Sequence, residues 1–247
     1  MYQFFIESTQ ISDVNVTITV SDYNHMKNVL RLKPGEKFYV ASGEGAPRKY
    51  VCTVEQYLDQ AADCHIISEE TESHELPCFI TLYQGLPKAD KLEWIIQKTV
   101  ELGVGRIVPV AMERSVVKLD TKKAEAKLAR WQNIAQAAAK QSKRDAIPKV
   151  GGVLKFQEAL TQAREAQIRL LPYENARGMA ATREILQSVK AGESVAVFIG
   201  PEGGFSDKEM DMALAAGIRP ITLGRRILRT ETAAMAVLAM LAYELEV

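Results

Sequence analysis

The apolar positions change rhythm part-way along the chain. Val14-Asn15-Val16-Thr17-Ile18-Thr19-Val20 alternates strictly and is rich in β-branched residues, which predicts a half-buried strand. Lys37–Val40 and Tyr50–Val54 predict two more, with a Gly- and Pro-containing loop, Ser42–Pro47, between them. A short helix is predicted around Asn24–Leu30. Short strands joined by turns over residues 1 to about 70 predict a small barrel. Glu69–Pro77 is polar, acidic and ends in proline, the composition of a linker. Beyond it, apolar runs alternate with helical periodicity. Strands are predicted at Phe79–Tyr83, Arg106–Val110, Ile168–Tyr173, Ser194–Ile199 and Ile218–Leu223. Helices are predicted from Asp90 to Leu102, Thr121 to Ser142, Met179 to Val189, after Ser206, and from Thr232 to Leu245. Asp90 and Ser206 read as N-caps, Glu209 stands at the capping-box position, and Gly103 reads as a stop. Strands alternating with helices predict an α/β domain with a mostly parallel sheet covered on both faces. The division expected is residues 1–72 and 73–247.

The last predicted helix, Ala233–Tyr243, is apolar nearly all round. Such a helix is buried on more than one side. It is either a central core helix or one covered by a second subunit, and its place at the chain end favours a homodimer.

Composition narrows the class. The chain has 247 residues, 47% hydrophobic and 25% charged, which excludes disorder and allows one large domain or two modest ones. No apolar stretch is long enough to span a bilayer without charges, so no membrane partner is expected. Met1–Glu7 lacks a basic region and a cleavage site, and a cytoplasmic location is expected. Cys52, Cys64 and Cys78 form no CxxC pair, so neither zinc nor a disulfide framework is expected. Formal net charge is zero, but the charge is segregated. Glu113–Lys149 carries ten Lys or Arg against four acids, and Gly217–Arg229 four arginines and no acid. Glu55–Glu75 carries seven acids and no Lys or Arg. The chain can therefore present a basic face to nucleic acid while its total reads neutral. Solvated helix faces would give the same tally.

Two segments carry the chemistry, each where a buried strand gives way to a helix. Such strand ends are where α/β sheets bind ligands. Ile199-Gly200-Pro201-Glu202-Gly203-Gly204 lets backbone approach a ligand closely. No Lys-Ser/Thr follows the glycines, and the G-x-G-x-x-G pattern is absent, which excludes a P-loop and an ordinary dinucleotide site. Glu202 would repel a pyrophosphate. A neutral or cationic ligand whose adenine is held by backbone fits, as does a tight turn with no ligand. In the second segment, Leu223–Ala233, Arg225, Arg226 and Arg229 alternate with Ile227 and Leu228. Not all three arginines can face solvent if that apolar pair packs. Arginine suits a phosphate or a delocalised anion. Thr230 or Glu231 could instead cap the following helix, and Glu231 could pair with an arginine.

These two segments resemble the signature loops of the RsmE family, SPOUT-class RNA methyltransferases. The likeness extends to Lys88–Val104, Glu113-Arg-Ser, Arg130–Ala138 and His25–Gly35, so it covers essentially the whole chain. The resemblance implies a PUA-like, RNA-binding N-terminal β-barrel and a C-terminal SPOUT α/β domain whose chain end threads into a trefoil knot. It implies S-adenosylmethionine as cofactor, held by Leu171, Tyr173 and Glu174, by Ile199, Gly200, Pro201, Glu202, Gly203 and Gly204, and by Leu223, Gly224, Ile227, Leu228, Thr230, Thr232 and Ala233. It also implies a homodimer, no metal, and methylation at N3 of one uracil in 16S ribosomal RNA, free or within the small ribosomal subunit. N3 of uracil must lose a proton before or during attack, so a base or an anion-stabilising cation is needed. Arg229 is the first candidate cation and Glu231 the candidate base, or the residue that orients Arg229. Lys27, Arg31 and Lys33, with Arg114, Lys140, Lys143 and Arg144 on the second domain, are candidate RNA contacts. His25 reads as a packed or surface histidine. A SPOUT methyltransferase of transfer RNA, and a non-catalytic RNA-binding protein of the same fold, are the rival readings.

Overall fold

The computed structural model describes residues 1–43, 48–117, 121–176 and 178–246. Two compact units result. One comprises Met1–Glu75 together with Ala139–Ile147; the other comprises Leu76–Ala138 and Pro148–Val247.

The first unit holds β1 (Gln3–Phe5), β2 (Asn15–Thr19), β3 (Lys37–Ala41), β4 (Lys49–Tyr57) and β5 (Ala61–Glu69), with the short helix α1 (Val20–Asn24) running into a π-helical turn, His25–Val29. The strands form one sheet in the order β1-β3-β4-β5-β2. Phe4 on one edge strand and Val16 and Ile18 on the other share a core with Phe38, Val40, Cys52, Val54 and Cys64. Two edges can meet in one core only if the sheet curls round it. Burial of Val16 and Ile18 follows from the alternation that predicted β2. β1 and β5 are not foreseen by the pattern. In β5 the inward Ala62 and Cys64 alternate with Asp63 and His65, residues of weak strand preference.

The predicted linker is not free chain. Glu75 accepts hydrogen bonds from the backbone amides of Asp145 and Ala146, at 2.9 and 3.2 Å. Lys49, Asp145 and His74 gather beside it, with Lys49 Nζ 3.1 Å from Asp145 Oδ1. These contacts hold Ala139–Ile147 in the first unit.

The three cysteines are buried and free. Burial pushes Cys52 and Cys64 up to about 12 and Cys78 up to about 11. The thiolate is the reactive form. At pH 8 an aromatic disulfide reagent should therefore release almost no thiolate from native protein and three equivalents from denatured protein. Rapid native reaction at any of the three would contradict this.

The second unit is a seven-stranded sheet in which all registered pairs are parallel. Its strands are β6 (Phe79–Gly85), β7 (Arg106–Ala111), β8 (Lys149–Val150), β9 (Leu154–Lys155), β10 (Ile168–Pro172), β11 (Ser194–Ile199) and β12 (Arg219–Ile221). The order is β12-β10-β11-β6-β7-β8, with β9 also on β7. Its helices are α2 (Lys91–Glu101), α3 (Thr121–Gln141), α4 (Phe156–Gln162), α5 (Met179–Gln187), α6 (Asp207–Ala215) and α7 (Thr230–Leu245). The last residues of α3 belong to the first unit. Parallel strands buried on both faces explain the continuous apolar run of β11, all buried from Val195 to Ile199. Tyr83 and Phe198 face each other across β6 and β11 and stack with ring centroids 4.5 Å apart.

The capping box is as the sequence predicts. Ser206 accepts from the amide of Glu209, and Glu209 accepts from the amide of Ser206 at 2.9 Å. Asp90 precedes α2 but its side chain makes no cap bond. After β12, at the sheet edge, the chain returns so that α7 packs on α2 and touches β11 and α5. Ala234, Val237, Leu238 and Leu241 form its buried face. Ala239 and Tyr243 are exposed on the other, so the helix is covered on one side of the described chain.

Candidate functional site

β12, β10 and β11 are neighbours and parallel, so their C-terminal ends open side by side. Three segments far apart in sequence converge there: Pro172–Asn175, Ile199–Phe205 and Thr222–Thr230. They enclose a half-open cleft of about 700 Å³, within the range of small-molecule sites. The third segment is braced from below. Thr222 donates its amide to Thr182 Oγ1 at 3.0 Å, and the amide of Tyr173 donates to the carbonyl of Ile221 at 2.9 Å. Thr230 links two segments, its hydroxyl donating to the carbonyl of Gly200 at 2.6 Å while accepting from Gln84 Nε2 at 2.9 Å.

The wall contains Tyr173, Glu174, Ile199, Gly200, Pro201, Glu202, Gly203, Gly204, Leu223, Gly224, Ile227, Leu228, Arg229, Thr230 and Ala233. It does not contain Leu171, which is buried in the sheet, or Thr232, which is exposed on α7. Glu231 is not in the wall either. Arg225, Arg226 and Arg229 are all exposed, and Ile227 is 82% exposed. The apolar pair therefore does not pack as a unit, so the condition under which one arginine would be withdrawn is not met. Arg229 is the N-cap of α7, and neither Thr230 nor Glu231 caps it; both lie inside the first turn.

Lys91, Asn175, Phe205 and Asp207 also line the cleft, and the sequence reading missed them. Lys91 is the informative one. Its Nζ stands 3.1 Å from Glu202 Oε1 and 3.5 Å from Glu231 Oε2. No ion pair joins Glu231 to an arginine among the described residues. The hydrogen bond to Glu202 raises the Lys91 pKa, against a smaller lowering by burial. Burial raises Glu202, but its own amide, the Lys88 amide and the Lys91 ammonium together hold it below the usual carboxylate value. The stability contributed by Glu202 is present above the ordinary carboxylate pKa and is lost as pH falls through its lowered one. That contributed by Lys91 is present below the ordinary lysine pKa and is lost as pH rises through its raised one. The pair is thus intact across the neutral range.

The seven candidate RNA contacts divide. Arg31, Lys33 and Lys143 are exposed, and no side-chain bond is formed by them among the described residues. Lys27 donates to Tyr23 Oη at 2.7 Å and lies over the Tyr23 and Tyr57 rings. Lys140 pairs with Asp22 at 2.9 Å. Arg114 donates to the carbonyl of Gly203 at 3.1 Å and lines the cleft. Arg144 is buried, with its guanidinium on Glu75. Lys140, Lys143 and Arg144, expected on the second domain, fall in the first unit.

Known proteins agree with this architecture. The RNA methyltransferase domain family matches residues 74–242, and the RNA methyltransferase PUA domain family matches residues 18–55. Ribosomal RNA small subunit methyltransferase E of Bacillus subtilis is 37% identical, with 100% of this chain and 98% of the relative aligned. The chain belongs to the ribosomal RNA small subunit methyltransferase E family. The family member from Neisseria gonorrhoeae, solved bound to S-adenosyl methionine, superposes with a TM-score of 0.81 at 33% identity, over 97% of this chain and 96% of that one. A methyltransferase from Legionella pneumophila, solved with bound SAM, gives 0.82 at 29% identity, over 98% and 96%. The α/β class and the PUA-like N-terminal domain expected from the sequence are therefore correct.

The wall suits such a cofactor. Gly204 at φ +67° and Gly224 at φ +112° have left-handed backbone, and a Cβ built on either meets nothing within 4 Å. Both loops thus offer bare backbone beside open space, the surface that an adenosine needs for close approach. Glu174, Glu202 and Asp207 in the same wall suit cationic sulfur and ammonium groups.

Proposed function

We propose that this chain is an S-adenosylmethionine-dependent methyltransferase that modifies N3 of one uracil in 16S ribosomal RNA. The convergence of the three strand-end segments around one backbone-lined cleft carries this reading, together with family membership across the whole chain. The glycine loops and the residues after β10 hold the cofactor, which supplies an electrophilic methyl on positively charged sulfur. Arg229 reaches the same cleft without an ion-pair partner among the described residues, so its guanidinium is free to face the uracil. Charge developing over O2 and O4 is stabilised by such a planar cation. Glu231, two residues beyond and just outside the cleft wall, accepts the N3 proton.

The first unit and its exposed basic residues Arg31, Lys33 and Lys143 position the RNA by phosphate contacts. The exposed face of α7, with Ala239 and Tyr243, is covered by a second copy in a homodimer. The protein works in the cytoplasm, where its substrate is made. Among the described residues no helix is long and apolar enough to cross a membrane.

Mapping modified nucleosides in ribosomal RNA from cells with and without the protein tests the assignment. One N3-methyluridine should disappear from 16S RNA and return with the purified enzyme and S-adenosylmethionine. Loss of a transfer RNA modification instead would overturn the substrate, and absence of cofactor binding by calorimetry would overturn the enzyme.

A further inference from the structure

We propose that Lys91 is a positioning residue of this site, clamping one carboxylate oxygen of Glu231 so that the other is left to take the proton. The proposal rests on the reading of Glu231 as the base. Lys91 is the first residue of α2. A cation there sits at the positive end of the helix dipole, against the local preference. Something other than helix stability therefore explains a lysine at this position, and its surroundings supply it. The ammonium lies between Glu202 Oε1 and Glu231 Oε2. Glu202 is itself fixed, since the amide of Lys88 donates to both its oxygens, at 3.1 and 3.3 Å. The result is a chain of groups running from the start of α2, through the glycine loop, to the first turn of α7.

The two oxygens of Glu231 differ. Oε2 is shut off from solvent and makes no hydrogen bond; its neighbour is the Lys91 ammonium at 3.5 Å. The Glu231 side chain keeps 18% of its surface exposed, and Oε1 has no hydrogen-bond partner among the described residues. Lys91 fixes its rotamer, while Oε1 stays available as acceptor. The charges around Glu231 are few. α7 packs on α2, α5 and β11. α2 contributes Lys91, the loop after β11 contributes Glu202 through Lys91, and Arg229 precedes α7. Arg183 and Glu184 of α5 form no ion pair with it among the described residues. Without Lys91, the carboxylates of Glu202 and Glu231 would share this corner with no cation between them.

The test is the pH dependence of kcat/KM on isolated small ribosomal subunits at saturating S-adenosylmethionine. Lys91→Met should lower the rate about tenfold at neutral pH and move the acid limb about one unit higher, the shift expected when an opposite charge within ~4–6 Å is removed. Lys91→Arg should keep the limb in place. Glu202→Gln should move it lower, because Lys91 then serves Glu231 alone. A lysine that only braces the loops would change cofactor affinity or Tm and leave the limb unmoved, which would overturn the proposal. If Lys91→Met does not fold, an unmoved limb in Glu202→Gln overturns it equally. Glu231→Gln separates the two readings. Full activity in that variant sinks the base assignment and the clamp together; an inactive Glu231→Gln beside an unmoved Lys91→Met limb sinks the clamp alone.

Discussion

Arg229→Ala should lower kcat by about two to three orders of magnitude, the usual loss when one donor to a developing oxyanion is removed. Cofactor affinity, measured by calorimetry, should stay within a few-fold. The structure makes this a clean experiment. Arg229 is exposed, its side chain makes no cap bond to α7, and no ion pair holds it among the described residues. Removing it therefore leaves no buried group unpaired, and Tm should hardly move. Arg229→Lys should recover only part of the rate, because a lysine keeps the charge but not the planar fork that spans two carbonyl oxygens. Undiminished methylation by Arg229→Ala, with cofactor still bound, would remove Arg229 from the mechanism.

The second large effect concerns stability. Arg144→Ala should destabilise the protein by about 3 kcal/mol, the lower end of what is lost when one partner of a buried pair is removed. The guanidinium is nearly inaccessible, while its partner Glu75 is about one-fifth exposed, so solvent screens part of the loss. Glu75 keeps its two backbone donors, Asp145 and Ala146, but loses its cation. Urea unfolding measures this. Lys143→Ala is the contrast. Lys143 is exposed one residue earlier, so its replacement should leave the urea midpoint unchanged and reduce the salt slope of RNA binding by about one contact. If Arg144→Ala unfolds like wild type yet binds RNA more weakly, the sequence reading of Arg144 as an RNA contact is right and the structural one is wrong.

Arg144 shows why charge tallies mislead. Along the chain it is one of ten basic residues in a basic stretch. Its role is decided by Glu75, sixty-nine positions away, which composition assigns to a linker. Lys91 is the same lesson in reverse. It opens a helix that the local pattern predicts, and its misfit with the helix dipole is the only local mark on it. Its partners arrive from the ends of β11 and α7, and no spacing along the sequence encodes that meeting.

Sequence alone determined the elements whose causes are local. The alternation in β2, the apolar run of β11, the capping box of α6 and the apolar α7 are each written in one continuous stretch of chain. The two glycine-containing loops were legible for the same reason, since the strand-to-helix transitions that place them are local. What only the tertiary structure decided is which distant groups meet. Parallel order brings β12, β10 and β11 together, so that three strand ends become one cleft. It also sets the three-residue β1 on β3 and places β5, whose own residues favour strands weakly, between β4 and β2, withdraws Leu171, Thr232 and Glu231 from the wall, and sets Lys91 between two carboxylates. Backbone pairing and charge compensation act across space, and their energy depends on partners that hydrophobic periodicity cannot name.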